Sequence, residues 1–126
     1  MPILVDTSIW SLALRKKEKS KEEEKIIDFF SEIIRDLKVI IIGPVRQEIL
    51  SGISNDGKFE ELKNKISVFK DLPIETIDYE LAARLFNECR GKGIQGSHID
   101  FLICAVSINN RMTILTLDKD FVTTQP

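Results

Sequence analysis

The chain is poor in the residues that often organise a site or a scaffold by themselves: 126 residues include two cysteines, one histidine, four prolines and six glycines. Cys89 and Cys104 have no nearby Cys or His at metal-ligand spacing, so a zinc site has little support and two buried, reduced thiols are expected. No apolar run approaches the roughly 20 residues needed to span a bilayer. The opening MPILVDTSIW enters a strand pattern directly, without the features of a signal peptide, so a cytoplasmic protein with no membrane partner is expected. Positive charge is not in excess either: 18 Lys and Arg face 20 Asp and Glu, for a net charge of −2. Without a global basic field, any contact with nucleic acid must use a local patch. The densest basic run, RKKEKSKEEEK at 15–25, nearly balances its own charge and reads as a solvated helix face. There is no G-x-S-x-G elbow, no Gly-rich loop of Walker A or dinucleotide spacing, no internal repeat and no dividing linker; a single domain over 1–126 is expected.

What is present is a globular composition, 43% hydrophobic and 30% charged, with strand and helix patterns in alternation. Residues 3–5 read as a strand, and a helix capped by Thr7 or Ser8 continues through Trp10, Leu12 and Leu14. Ser20 and Glu23 form a capping-box pattern ahead of Ile26, Ile27, Phe29, Phe30, Ile33, Ile34 and Leu37 at helical spacing. Residues 39–42 are continuously apolar and β-branched, and Gly43-Pro44 then opens a helix bearing Glu48. SNDGK turns into an amphipathic helix with Phe59, Leu62, Ile66 and Phe69. A short strand is expected at 74–77, with Asp78 capping a helix that runs to about Arg90. After a Gly-containing loop, a helix starts at Ser97, and its FLICAVSI segment is apolar on nearly every face, as in a helix packed mid-domain. A last buried strand is expected at 112–117. This alternation predicts an α/β layer architecture with a mostly parallel sheet.

Four acids sit where apolar strands end or buried helices begin: Asp6 in ILVDTSIW, Glu48 in PVRQEILSG, Asp100 in SHIDFLICA and Asp118 in ILTLDKDF. A carboxylate beside core-forming sequence costs free energy unless it is paired, hydrogen-bonded or bound to a cation. In open parallel sheets the carboxyl ends of the strands and the starts of the following helices share one edge, so all four can converge. Clustered carboxylates are partly protonated or hold a hard cation, and magnesium or manganese suits oxygen ligands. Each acid also has a plain structural reading. Asp100 completes a capping box with Ser97, Asp6 and Asp118 can bond turn amides, and Glu48 can be an exposed helix acid. Thr7, Ser8 and Thr116 lie beside the acids and can orient them, or can be caps. Asp120 reads as a turn residue or a supporting one. His98 is read as a helix-start residue rather than a general base. Arg46 could contact a phosphate or pair with an acid.

Together VDTSIW, PVRQEI, HIDFLICA and LTLDKDF resemble the PIN-domain ribonucleases, most closely the VapC-type toxins of toxin–antitoxin pairs, over essentially the whole chain. The resemblance implies a three-layer α/β/α sandwich and cleavage of RNA dependent on Mg2+ or Mn2+. It also implies a homodimer and a cognate antitoxin partner. It makes Asp6, Glu48, Asp100 and Asp118 the metal-binding acids, with Thr7 or Thr116 in support and Asp120 able to share the place of Asp118, where many relatives carry Asn. A receiver-like domain fits poorly, since the middle strand ends VIIIGP without an acid, and a haloacid-dehalogenase-type phosphatase would need Asp-x-Asp where this chain has Asp-Thr-Ser. A catalytically silent PIN-fold module binding RNA or protein, or a housekeeping RNA-processing nuclease, remains an alternative.

Overall fold

The computed structural model describes residues 2–117. Along them run β1 (Ile3–Val5), α1 (Thr7–Leu14), α2 (Lys21–Arg35), β2 (Val39–Ile40), α3 (Gly43–Leu50), α4 (Asp56–Ile66), α5 (Thr76–Gly91), α6 (His98–Asn110) and β3 (Thr113–Leu115). The strands form one parallel sheet in the order β2-β1-β3. Leu4 aligns with Ile40 on one side and Ile114 on the other. Successive strand residues point to opposite faces, and Leu4 and Val5 are both fully enclosed. The sheet is therefore covered on both sides, which is the layered α/β arrangement expected from the sequence.

Local chemistry explains most element boundaries. The Ser20–Glu23 capping box is present with both bonds, Glu23 N–H to Ser20 Oγ at 3.1 Å and Ser20 N–H to Glu23 Oε1 at 2.9 Å. Pro44 occupies the first turn of α3, where its missing N–H would have had no helical partner. Helix α6 is buried at every position from Phe101 to Ser107, as its all-round apolar pattern requires. On α1, Trp10 meets Phe30 and Phe69 edge-to-face with centroids 5.0 and 5.1 Å away, a favourable geometry for the ring quadrupoles. Both cysteines are buried and neither is in a disulfide. Among the described residues no helix is long and apolar enough to cross a membrane.

Several expectations are corrected. The cap of α1 is Asp6, not Thr7 or Ser8, which are its first two residues. Leu37 lies outside α2: it adopts φ 58° beyond the C-cap Asp36 and is 92% exposed. The helix stops because Leu37 turns the chain, with its N–H on Ile34 O at 3.0 Å. Residues 74–77 form no strand; the only pairing in that region is an isolated parallel bridge, Ile41 with Asp71. Pro73 offers no N–H to extend the ladder, and α5 already begins at Thr76. Asp78 is consequently not the cap. Glu75 holds that place, and Asp78 returns its side chain to the Glu75 N–H at 2.9 Å. The last strand is shorter than expected, Thr113–Leu115, and α3 takes Ile42 as its N-cap, shortening β2.

Candidate functional site at the carboxyl edge of the sheet

Chain direction places the site. β1 is central, the chain passes to β2 on one side and returns to β3 on the other, and the carboxyl ends of such strands are where open α/β sheets bind ligands. Asp6 is the first residue past β1, and its N–H extends the parallel pairing to Leu115 O at 2.9 Å. Its side chain is turned into the fold and only 5% of the residue is exposed. Three donors converge on one of its oxygens: Oδ2 accepts from Ser8 Oγ at 2.7 Å, Thr116 Oγ1 at 2.9 Å and Ser8 N–H at 3.4 Å. Ser8 Oγ in turn accepts the Leu117 N–H at 3.0 Å. Ser8 and Thr116 thus fasten the ends of β1 and β3 around the Asp6 carboxylate and fix its orientation.

Glu48 is exposed on α3 and accepts from Thr7 Oγ1 at 2.6 Å. Thr7 follows Asp6 directly, so this bond joins the second acid to the turn that presents the first. The same C-terminal end of α3 is held by Arg15, whose Nη2 donates to Ile49 O at 2.7 Å and Ser51 O at 3.2 Å. A cation there suits the negative end of the helix dipole. The last turn of α3 is therefore tied to α1 at both Thr7 and Arg15, beside Glu48.

Asp100 lies half-buried in the first turn of α6 and realises the capping box with Ser97: Ser97 N–H reaches Asp100 Oδ2 at 3.0 Å, and Asp100 N–H reaches Ser97 Oγ at 3.1 Å. Asp118 and Asp120 lie outside the described residues. The structure thus brings together Asp6, Ser8 and Thr116, links Glu48 to them through Thr7, and engages Asp100 at its own helix start. Among the described residues no three acids, histidines or cysteines gather closely enough to hold a metal without further ligands.

The donor chemistry nevertheless fits a hard cation. The groups are carboxylates and hydroxyls, and among the described residues no Lys or Arg forms an ion pair with Asp6 or Glu48; the ion pairs fall at Lys16–Glu23, Arg46–Asp71, Lys63–Glu60 and Lys65–Glu61. Among the described residues the donors to Asp6 are all neutral and all on Oδ2, which leaves the acceptor capacity of its second oxygen unused there.

Two further residues weighed from sequence have partners outside the acid cluster. Arg46 pairs with an acid, through Nε to Asp71 Oδ1 at 2.9 Å, and its other nitrogens reach Ile66 O at 3.0 Å and Phe69 O. It secures the chain after α4. His98 is exposed and stacked on Phe86, in keeping with its reading as a helix-start residue. The sequence reading missed the second nearly buried acid: Asp78, 2% exposed, also accepts from Asn109 Nδ2 at 2.8 Å. The Glu75-x-x-Asp78 spacing was the available signal for its helix-start role; nothing local pointed to Asn109.

The sequence profile of the PIN domain matches residues 3–125. No curated protein is a close enough sequence match to count as a relative. Among solved structures, the chain is similar to FitAcB from Neisseria gonorrhoeae, with TM-score 0.78, 20% identity, and coverage of 97% of this chain and 92% of that one. It is also similar to VapBC2 from Rickettsia felis, a structure bound to a DNA fragment from their promoter, with TM-score 0.74, 20% identity, and coverage of 98% and 92%. A third likeness is to PAE2754 from Pyrobaculum aerophilum, with TM-score 0.65, 18% identity, and coverage of 98% and 84%. At these identities the likeness is one of fold.

Proposed function

The chain belongs to the PIN-domain family, and we propose that it acts as a divalent-metal-dependent ribonuclease, the toxin of a toxin–antitoxin pair. The observation that carries this reading is Asp6: a nearly buried carboxylate at the end of the central strand, oriented by Ser8 and Thr116 and lacking a cationic partner among the described residues. Asp6, Glu48, Asp100 and Asp118 would hold Mg2+ or Mn2+, with Thr7 and Thr116 supporting and Asp120 able to share the place of Asp118. When bound, such an ion would supply Lewis-acid charge and a water of lowered pKa for phosphodiester hydrolysis. The chain's own part is orientation. Ser8 and Thr116 hold the Asp6 carboxylate, Thr7 holds Glu48, and the Ser97 capping bond fixes the turn from which Asp100 projects. Outer hydroxyls of this kind set ligand geometry and basicity.

The toxin assignment is supported by the sequence resemblance and by the fold shared with VapBC2 and FitAcB. On this reading the partners are an RNA substrate, a cognate antitoxin and a second copy of the chain, in the cytoplasm. The test is cleavage of a mixed structured RNA by purified protein with magnesium or manganese, against EDTA and Asp6→Asn controls. Metal-dependent cleavage that the variant loses is the expected result. Normal folding without cleavage across varied RNAs would favour a silent PIN-fold module, a reading to which the capping role of Asp100 lends some support.

A further inference from the structure

Beside the acids the surface changes character. A groove of about 550 Å³ runs between the start of α3, the length of α5 and the first turn of α6, lined among others by Gln47, Tyr79, Phe86, Asn87, His98 and Ile99. Gln47 and Ile99 adjoin Glu48 and Asp100 in the chain, so the groove borders the helix turns that carry two of the four acids. None of the residues lining it is acidic, although acids outnumber bases in the chain as a whole. On its wall the His98 imidazole stacks on Phe86 with ring centroids 4.8 Å apart and planes 15° from parallel. The Arg90 guanidinium lies 4.9 Å from the centroid of the same Phe86 ring.

Core packing does not require this arrangement. Phe101 already closes the α5–α6 seam, buried and set edge-to-face on Phe86 at 5.5 Å, whereas His98 and Arg90 are exposed. A flat ring fixed parallel to a second ring, with a guanidinium over that second ring and no carboxylate in the groove lining, matches the two features of a single-stranded nucleic acid: a π face on each base and an anion between bases. We propose that the Phe86–His98 stack, flanked by Arg90, is a shelf on which an unpaired base of the RNA lies next to the phosphodiester to be cut. This deepens the ribonuclease reading and rests on it. The exposed face of His98 takes the base, Phe86 holds the imidazole flat, and Arg90 faces the backbone phosphate. The substrate class is then single-stranded or looped RNA, since a paired base has no free face to offer.

The test separates binding from cleavage. A fluorescein-labelled single-stranded RNA dodecamer is titrated with protein in EDTA, and KM and kcat are measured in parallel with magnesium. Stacking of one base predicts that His98→Ala weakens binding and raises KM about tenfold, while His98→Tyr restores both. An abasic dodecamer should bind the wild type as weakly as the intact one binds His98→Ala, with no further loss when the two changes are combined. If cleavage occurs and His98→Ala leaves both KM and affinity unchanged, the shelf is wrong and the ribonuclease reading stands. If the dodecamer binds through His98 without any cleavage, the shelf stands as a binding site and the ribonuclease reading falls. Should Tyr79→Ala split a self-associated form while RNA affinity is untouched by His98→Ala, a second copy of the chain covers the groove, and the proposal is overturned.

Discussion

Asp6 and Asp78 are both nearly buried, at 5% and 2% exposure, and both serve the start of a helix, yet they are held differently. Asp78 spends both oxygens on donors from two helices: Oδ2 on the Glu75 N–H at 2.9 Å and Oδ1 on the Asn109 amide at 2.8 Å. Among the described residues Asp6 takes its donors on Oδ2 alone. Burial is therefore common to the two carboxylates; they differ in the distribution of donors over the two oxygens, and the proposed function makes that difference the mark of a ligand-binding acid. Asp78 closes the α5–α6 pair as a neutral amide could. Asp6 has no such second donor on Oδ1 among the described residues, and the proposed function gives that oxygen to a cation.

Neutralising each acid in turn gives the sharpest contrast. Asp6→Asn retains a side-chain oxygen and a residue well suited to the N-cap, so the thermal midpoint should stay close to wild type. RNA cleavage with magnesium should nevertheless fall by about a hundredfold or more, beyond the loss usual for an outer-shell change. Asp78→Asn should leave kcat close to wild type. If both variants cleave normally, the donor-distribution criterion has no functional content; if both are dead, it discriminates nothing.

Truncation reverses the order of the two sites. Asp78→Ala strands the Asn109 amide and the Glu75 N–H in the fold, and should lower stability to urea by about 2–3 kcal/mol, with kcat of the remaining folded protein unchanged. Asn109→Ala should cost less. The double variant should cost less than the sum of the singles, because each change already removes the shared bond. Strict additivity in that cycle would show that the 2.8 Å contact contributes nothing.

The contrast also explains what was legible in the sequence. Elements with one local cause were readable: the Ser20 capping box, Pro44 at a helix start, and the apolar stretch of α6. So was the placement of Asp6 and of the Asp100 capping box, because both are set by residues close in the chain. Long-range pairing was not readable. Asn109 and Asp78 are 31 positions apart, and the clamp of Thr116 on Asp6 spans 110, although Thr116 could be named as a neighbour of an expected acid. The strand expected at 74–77 failed for a related reason. An apolar, β-branched run says that residues can pair, whereas Pro73 and the early start of α5 decide that they do not. Arg46 could not be assigned from sequence because its three partners come together only after α4 has folded back on α3.

A weaker effect should separate the two acids that Thr7 brings together. Thr7→Val keeps the shape of the side chain but deletes the 2.6 Å bond to Glu48. With Glu48 exposed, stability should change by less than about 0.5 kcal/mol. Cleavage should drop about tenfold, as when an orienting partner of a ligand is lost. An unchanged kcat with an intact fold would remove Glu48 from the site, leaving Asp6 with the acids of α6 and of the chain beyond β3.

The smallest effect belongs to the most highly charged stretch, where an acid is held by a cation as well as by a neutral donor. Lys16 Nζ lies 2.8 Å from Glu23 Oε2, and the Lys16 hydrogen bond, followed by the Ser20 backbone bond, holds the Glu23 carboxyl below the usual carboxylate range. A depressed carboxyl contributes stability above its unfolded-state value, and this is lost as pH falls through the folded-state value. Lys16→Met should therefore move Glu23 upward in an NMR titration and flatten the acid limb of the stability curve slightly, leaving neutral-pH stability nearly unchanged, since exposed pairs contribute little. The same change should not touch cleavage. Glu23 is thus the counterpart of Asp6, which has no lysine or arginine partner among the described residues.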